Sequence, residues 1–301
     1  MRTAAVVDAG DAGDDGLALP DSRQAPGSQC RPLGGNHAPT GPVDLRLYLR
    51  AYLAGSRRLY ARAARVAAVS EAVRRSLADD LSRWVPPERL VVIPNPVDGA
   101  EHRRQAQPVA RRGCRLRFCS VGRLVSAKGF DVLIEAFALA DLGDNWELLI
   151  VGDGPLRLEL EQLTKRRGLD EHVSFLGAVA NPYSIVASAD IAVQASRWEG
   201  FGMAMLKALS LGVPLIATDC PGGVSEIVGR GQYAVLVAPD DPPHLARTLD
   251  LLASDAELRR RLSERGPIRA AEYAPARVAE TVVSLAMEVR AETRQATGSV
   301  A

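Results

Sequence analysis

Two short segments hold the charged side chains best placed to do chemistry. Glu199 stands in Arg197-Trp-Glu-Gly-Phe-Gly202, directly ahead of an apolar stretch, Met203 to Leu211, whose spacing predicts a helix. A carboxylate presented by glycine-containing backbone can accept hydrogen bonds from sugar hydroxyls, while the amides near Gly202 and Met203, at the helix start, face a phosphate. The same carboxylate can also do no more than cap the helix, an effect of about 0.3–1 kcal/mol. The second segment, Gly122-Arg-Leu-Val-Ser-Ala-Lys-Gly129, places two cations, Arg123 and Lys128, between a predicted strand and a predicted helix. It is not a P-loop, because Lys128 precedes Gly129 and Phe130 where that motif needs Gly-Lys followed by Ser or Thr. Two cations joined by the positive end of a helix suit a diphosphate; the alternative is a pair of solvated surface charges.

A third segment, Gly152-Asp-Gly-Pro155, superficially suggests a dinucleotide fingerprint. Arg157 occupies the position of the third glycine, and the next strand runs into Gly177-Ala-Val-Ala without an acid, so nicotinamide chemistry is disfavoured. Gly152 and Gly154 more simply permit a tight turn and a close backbone approach, with Pro155 opening a helix.

These segments are spaced by alternating elements. Apolar strands are predicted at 116–121, 147–151, 173–176, 191–195, 214–217 and 234–237. Helices are predicted between them at 130–140, 156–167, 182–187 and 203–211, and three more at 243–253, 256–265 and 277–292 close the chain. Strands apolar on both faces and separated by helices mean a parallel sheet covered on both sides, an α/β, Rossmann-like architecture in which ligands bind at the carboxyl ends of the strands. The loops after Val121, Val151, Leu176, Ala195 and Ala217 are therefore the candidate site. Upstream, 66–69 and 90–93 read as strands and 72–81 as a helix. Asn95-Pro-Val-Asp98 and the Arg- and Gln-rich stretch from Glu101 to Gly113 read as a linker.

Residues 1–44 are rich in Asp, Gly, Pro, Ser and Gln without a periodic pattern and are expected to be disordered. Residues 45–65 alternate apolar positions with Arg46, Arg50, Arg57, Arg58, Arg62 and Arg65, predicting a basic amphipathic helix. That helix suits either an anionic membrane surface or an ordinary solvated face. The chain of 301 residues is 47% hydrophobic, enough for a sizeable core. Its 37 basic and 36 acidic side chains nearly cancel, so no overall field argues for nucleic acid. No apolar run approaches the roughly 20 residues of a membrane span, and a cytoplasmic location follows as the expectation. Cys30, Cys114, Cys119 and Cys220 have neither zinc-ligand nor disulfide-scaffold spacing and are expected to be reduced packing residues.

The motifs Val-Gly-Arg-Leu…Lys-Gly, Val-Gly-Asp-Gly-Pro, Val-Ser-Phe-Leu-Gly, Asn-Pro-Tyr, Ser-Arg-Trp-Glu-Gly-Phe-Gly and Ala-Thr-Asp-Cys-Pro-Gly-Gly, in this order and spacing, resemble family 4 glycosyltransferases of the GT-B type. The resemblance runs from about Tyr60 to about Leu285 and is strongest across Leu116 to Val228. It implies a retaining, metal-independent enzyme with two facing Rossmann-like domains. Residues 99–292 would form the nucleotide-sugar (donor) domain, 45–98 a remnant of the acceptor domain with its linker, and 293–301 a disordered tail. Arg123 and Lys128 would neutralise the leaving diphosphate, and Glu199 would hold the donor sugar's hydroxyls. Gly122, Gly154, Gly200 and the backbone from Phe201 through Gly202 to Met203 would contact sugar or diphosphate, and Leu176 and Gly177 would border the base. No metal or other cofactor is implied, and no protein nucleophile is required.

Two departures from the family pattern matter. Family members carry a glutamate where this chain has Lys207, and an ammonium can only donate a hydrogen bond to the ribose that a carboxylate would accept from. Of the acceptor domain, only 66–69 and 90–93 are legible as strands. Two functional classes follow. The first is a transferase moving a sugar from a nucleotide diphosphate donor to a glycan or lipid-linked acceptor in cell-surface polysaccharide or glycoconjugate synthesis, open to peripheral contact with the inner membrane face through residues 45–65. The second is a catalytically impaired donor-binding remnant or partner subunit, completed by another chain.

Overall fold

The computed structural model describes residues 5–7, 59–107 and 115–298. Apolar strands need backbone partners as well as covered faces, and the chain meets both needs with two parallel sheets. The smaller has three strands, β1 (Ala5–Val7), β2 (Val66–Ala68) and β3 (Leu90–Val92), in that order. The larger has six: β4 (Leu116–Val121), β5 (Trp146–Val151), β6 (Val173–Gly177), β7 (Ile191–Gln194), β8 (Leu215–Thr218) and β9 (Val235–Val237). Their spatial order is β6-β5-β4-β7-β8-β9, and every pairing is parallel. Chain direction across the sheet therefore reverses between β4 and β7, and crevices at such a switch point are where doubly wound sheets bind ligands.

Alternation along the strands sends successive residues into two separate cores. Phe118 and Ile216 join Leu133, Phe137 and Leu249 on one face, whereas Cys119, Leu215 and Ala217 join Met205, Leu206 and Ile227 on the other. The first face is covered by α3 (Phe130–Leu139) and α8 (Pro242–Ser254), the second by α6 (Met203–Ser210), against which α9 (Ala256–Ala271) packs. Each fully buried Leu, Ile or Phe contributes about 1.5–3 kcal/mol of transfer free energy, so the two cores supply the main driving force. Cys119 and Cys220 are buried free thiols; burial pushes the Cys119 thiol up to about 12. Cys30 and Cys114 lie outside the described residues.

The remaining helices are α1 (Glu71–Leu81), α2 (Gly99–Gln105), α4 (Arg157–Arg166), α5 (Tyr183–Ala187), α7 (Val224–Ile227) and α10 (Pro275–Gly298). Several elements depart from the sequence expectation. Helix α10 continues to Gly298, through residues expected to belong to a disordered tail. Ala5–Val7 forms a strand inside the segment expected to lack regular structure, because the exposed edge of β2 supplies parallel partners from Val66 to Ala68. The rest of residues 1–44, and most of the basic helix expected at 45–65, lie outside the described residues, although residues 59–62 are helical. The expected linker contains α2: the Asp98 carboxylate accepts from the Glu101 amide at 2.9 Å, and His102 packs its ring into the protein. Finally, α9 continues through Pro267 to Ala271. The lost amide bond is offset by packing, with Gly266 lying directly against the Leu209 backbone and Arg269 donating to the carbonyls of Glu226 and Ile227.

Side chains and backbone both join the parts of the chain that carry the two sheets, the Val97 amide donating to the Tyr273 carbonyl at 2.8 Å. Helix α10 lies beside β3, lining a groove with Val91, Val92 and Ile93, and Glu292 near its end pairs with Arg65. Among the described residues, no helix is long and apolar enough to cross a membrane.

Candidate functional site

The sheet order makes the loops after β6, β5, β4 and β7 neighbours, and backbone hydrogen bonds lace them together. The Gly122 amide donates to Val151, Leu124 to Asp153, and Gly152 to Gly177, at 2.8–3.0 Å. Gly154 lies against the Leu124 backbone, so the close approach expected for the Gly-Asp-Gly turn is made to the neighbouring loop. Across the switch point, Gly129 has φ 60° and lies so near the Ala195 carbonyl that a β-carbon would sit 2.0 Å from its oxygen. Only glycine satisfies both conditions.

This lacing brings the β4 and β7 loops into register and sets their charges face to face. Lys128 Nζ lies 2.8 Å from both Oε1 and Oε2 of Glu199. The Ser196 hydroxyl donates to Glu199 Oε1 at 2.8 Å, and Ser196 itself is fully buried. The Glu199 side chain is 7% exposed and that of Lys128 24%, so the carboxylate is sequestered while the ammonium still reaches solvent. The Glu199 backbone is held as firmly: its amide donates to Pro221, and Gly222, at φ 123°, leaves no room for a β-carbon, which would sit 1.5 Å from the Glu199 carbonyl oxygen. Burial, with the Glu199 charge second, pushes the neighbouring Cys220 thiol up to about 11. Glu199 is thus not a helix cap. Helix α6 begins at Met203 behind Gly202 with no side chain capping its amides.

The other expected site residues distribute as follows. Arg123 is exposed on the same loop as Lys128. Leu176 is exposed and Gly177 buried at the end of β6, beside Gly152. The Gly200 carbonyl accepts from Ser70 Oγ at 3.1 Å. The Phe201 ring is buried, edge-on to Tyr273 at 5.6 Å, which leaves only its backbone for a ligand. Lys207 is half-buried on α6, and its Nζ sits over the Tyr183 ring, 5.7 Å from the centroid. Tyr183 in turn stacks on His102 at 4.3 Å, and His102 Nδ1 is 2.9 Å from Ser210 Oγ. Burial first, and the Lys207 charge second, hold His102 below its ordinary pKa.

Sequence reasoning missed four contributors. Ser196 stands three residues before Glu199, a Ser-x-x-Glu spacing that usually signals a helix cap and here marks the hydroxyl that orients the carboxylate. Arg197 clamps the two loops: its guanidinium grips the Asp131 carboxylate with two bonds at 2.9 and 2.6 Å, reaches Asp240 at 2.7 Å and donates to the Ser126 carbonyl. Burial alone would raise Asp131, but the Arg197 hydrogen bonds and charge outweigh it and hold that carboxyl below its usual range. Ser70 and Glu226 join α1 to the site: Glu226 accepts from the Glu71 and Ala72 amides at 2.9 and 2.8 Å, capping α1 from across the molecule. No local pattern announces a cap 154 residues away.

A doubly wound parallel sheet with a sequestered carboxylate and a cation at its switch point defines the class, a Rossmann-like α/β binding domain. Residues 103–269, more than half of the chain, match the family described as glycosyl transferases group 1, and residues 6–101 match glycosyltransferase family 4. The chain belongs to the group 1 glycosyl transferases. It is 32% identical over 173 residues to an alpha-D-kanosaminyltransferase of Streptomyces kanamyceticus, covering 56% of this chain and 45% of the relative. It is 30% identical over 217 residues to a 2-deoxystreptamine glucosyltransferase of the same organism, covering 66% and 54%. The chain spans about half the length of the curated relatives it matches. Among solved structures, Anabaena HepE in complex with UDP superposes with a TM-score of 0.70 at 21% identity, covering 82% of this chain and 70% of that one. A sucrose-phosphate synthase of Thermosynechococcus elongatus superposes with a TM-score of 0.68 at 24% identity, covering 81% and 62%. These likenesses establish the GT-B type of fold.

Proposed function

We propose that the chain binds a nucleotide diphosphate sugar at the switch point between β4 and β7 and transfers the sugar to a glycan or lipid-linked acceptor, with retention and without a metal. The observation that carries this reading is the Lys128–Glu199 pair, which holds a carboxylate for sugar hydroxyls and an ammonium for phosphate in one crevice. Arg123 and Lys128, with the amino terminus of α6, balance the charge that grows on the departing diphosphate. Glu199, fixed by Ser196 and Lys128, accepts from the sugar's hydroxyls and sets the ring's angle to the diphosphate. The acceptor hydroxyl oxygen bonds to the anomeric carbon on the face from which the diphosphate leaves, and its proton passes to the departing phosphate oxygen. The relatives named above, which act as transferases by their descriptions, support this reading.

Lys207 favours a second reading, a donor-binding domain without turnover. Its ammonium is engaged with Tyr183, and a lysine cannot accept from ribose hydroxyls. Calorimetry with uridine and guanosine diphosphate sugars separates the cases. Binding with transfer supports the first reading, and binding with neither hydrolysis nor transfer supports the second. Absence of binding to any donor, unrestored by Lys207→Glu, removes both.

A further inference from the structure

A cavity of about 440 Å³ opens between the β7 loop and α1, with Glu199 among its lining residues. Its walls combine three kinds of group. Trp198 presents an indole that is 38% exposed, beside Pro221 and the α1 residue Val73. Arg75 and Ser76 line it from α1, and Glu199 and Gly200 from the β7 loop. Arg75 is the cation with capacity to spare: its side chain is 70% exposed, and it reaches Glu71 only at 3.9 Å because Arg74 already grips that carboxylate at 2.5 and 2.8 Å. An exposed aromatic face, a hydroxyl and a guanidinium in one concave site match a pyranose ring that carries an anionic substituent. The ring's apolar face would rest on Trp198 and its charge would meet the planar fork of Arg75, which suits a carboxylate or phosphate better than a hydroxyl does.

We infer that this cavity seats an anionic sugar, a pyranose bearing a carboxylate or a phosphate, as the group that receives the transferred residue. Its assignment to the acceptor rests on the transferase reading above. Its assignment as an anionic-sugar site rests on Trp198 and Arg75 alone.

Saturation-transfer and chemical-shift NMR on the full chain test it with three probes: glucuronate, glucose 6-phosphate and methyl glucoside. At least one charged probe is expected to bind about tenfold more tightly than the neutral one, the scale of a single charge-assisted hydrogen bond at a partly exposed site. Which charged probe binds identifies the substituent. Arg75→Ala is expected to erase the preference, and Trp198→Ala to weaken all three probes. Both side chains are exposed, and an unchanged melting temperature confirms that the variants fold. Equal binding of charged and neutral probes, no binding of any, or a preference that survives Arg75→Ala overturns the inference. Calorimetry with donor sugars on the same samples keeps the two readings apart: donor binding without anionic-sugar binding refutes only this inference, whereas anionic-sugar binding without donor binding removes the proposed function and the acceptor assignment with it and leaves the anionic-sugar site standing.

Discussion

At the scale of single residues, the Lys128–Glu199 pair is asymmetric, and the asymmetry decides what its removal does. Glu199 is nearly sealed while Lys128 keeps access to water. Stranding the carboxylate costs more than stranding the ammonium, because the exposed partner can rehydrate. Lys128→Met is therefore expected to lose about 1–3 kcal/mol of stability and Glu199→Gln less, with the double variant more stable than Lys128→Met. Urea titration of the cycle measures this, and equal losses from the two single changes would contradict the burial argument. Gly222→Ala is a sharper test of the same spot. Its β-carbon would overlap the Glu199 carbonyl, and φ 123° disfavours any side chain, so both backbone and carboxylate must move. Loss of donor binding together with a large fall in melting temperature is the expected result. Glu199 and Lys128 stood out in the sequence as charges on glycine-containing loops ahead of helices, with a helix cap and a solvated surface charge left open as alternatives. Their pairing was not legible there, since it depends on strand order across β4 and β7.

At the scale of elements, the alternation of strands and helices was legible almost throughout, because strands buried on both faces write unbroken apolar runs. What escaped were elements whose stability is borrowed. Strand β1 has three residues and exists on the edge of β2; α2 stands on its Asp98 cap and on His102 and Arg103, which reach Ser210 of α6; α9 runs through Pro267 on the strength of its contacts with Leu209. The docking of α2 has a consequence in acid. His102 is held neutral by burial and by Lys207, with Arg103 also lowering its pKa and Asp98 and Glu101 opposing. Because the folded value lies below the unfolded value of about 6.5, the unfolded state takes up the proton first. The contribution of His102 is complete above about pH 6.5 and declines as pH falls through the depressed folded value. Lys207→Glu removes a repulsion and adds an attraction, so it is expected to raise the His102 pKa and to make stability less sensitive to acid. Histidine ring NMR titration of both proteins checks the direction, and an unchanged or lower pKa in the variant would place Lys207 away from His102.

At the scale of the whole molecule, the question is what keeps the three-stranded sheet aligned with the six-stranded one. The direct answer is a capping interaction made across the interface. The Glu226 carboxylate closes the amino terminus of α1 through the Glu71 and Ala72 amides, Ser70 ties the same turn to the Gly200 carbonyl, and Arg269 secures the Glu226 backbone from α9. A carboxylate at a helix amino terminus satisfies two orphan donors and meets the positive end of the dipole. Because α1 packs on the small sheet and α7 on the large one, the energy holds an orientation as well as a helix. That orientation sets the width of the cavity between α1 and Trp198 and the setting of Gly200 next to Glu199. Glu226→Ala is expected to cost about 0.5–2 kcal/mol, the range for a lost cap, with the loss concentrated at the interface. Amide hydrogen exchange should quicken at Glu71 and Ala72 while β4 to β8 stay protected, and Glu226→Gln, which retains one acceptor oxygen, should fall between the two. Uniform loss of protection across both sheets would instead make Glu226 a part of the common core, and unchanged exchange at Glu71 and Ala72 would show that α1 is held by Ser70 and packing alone.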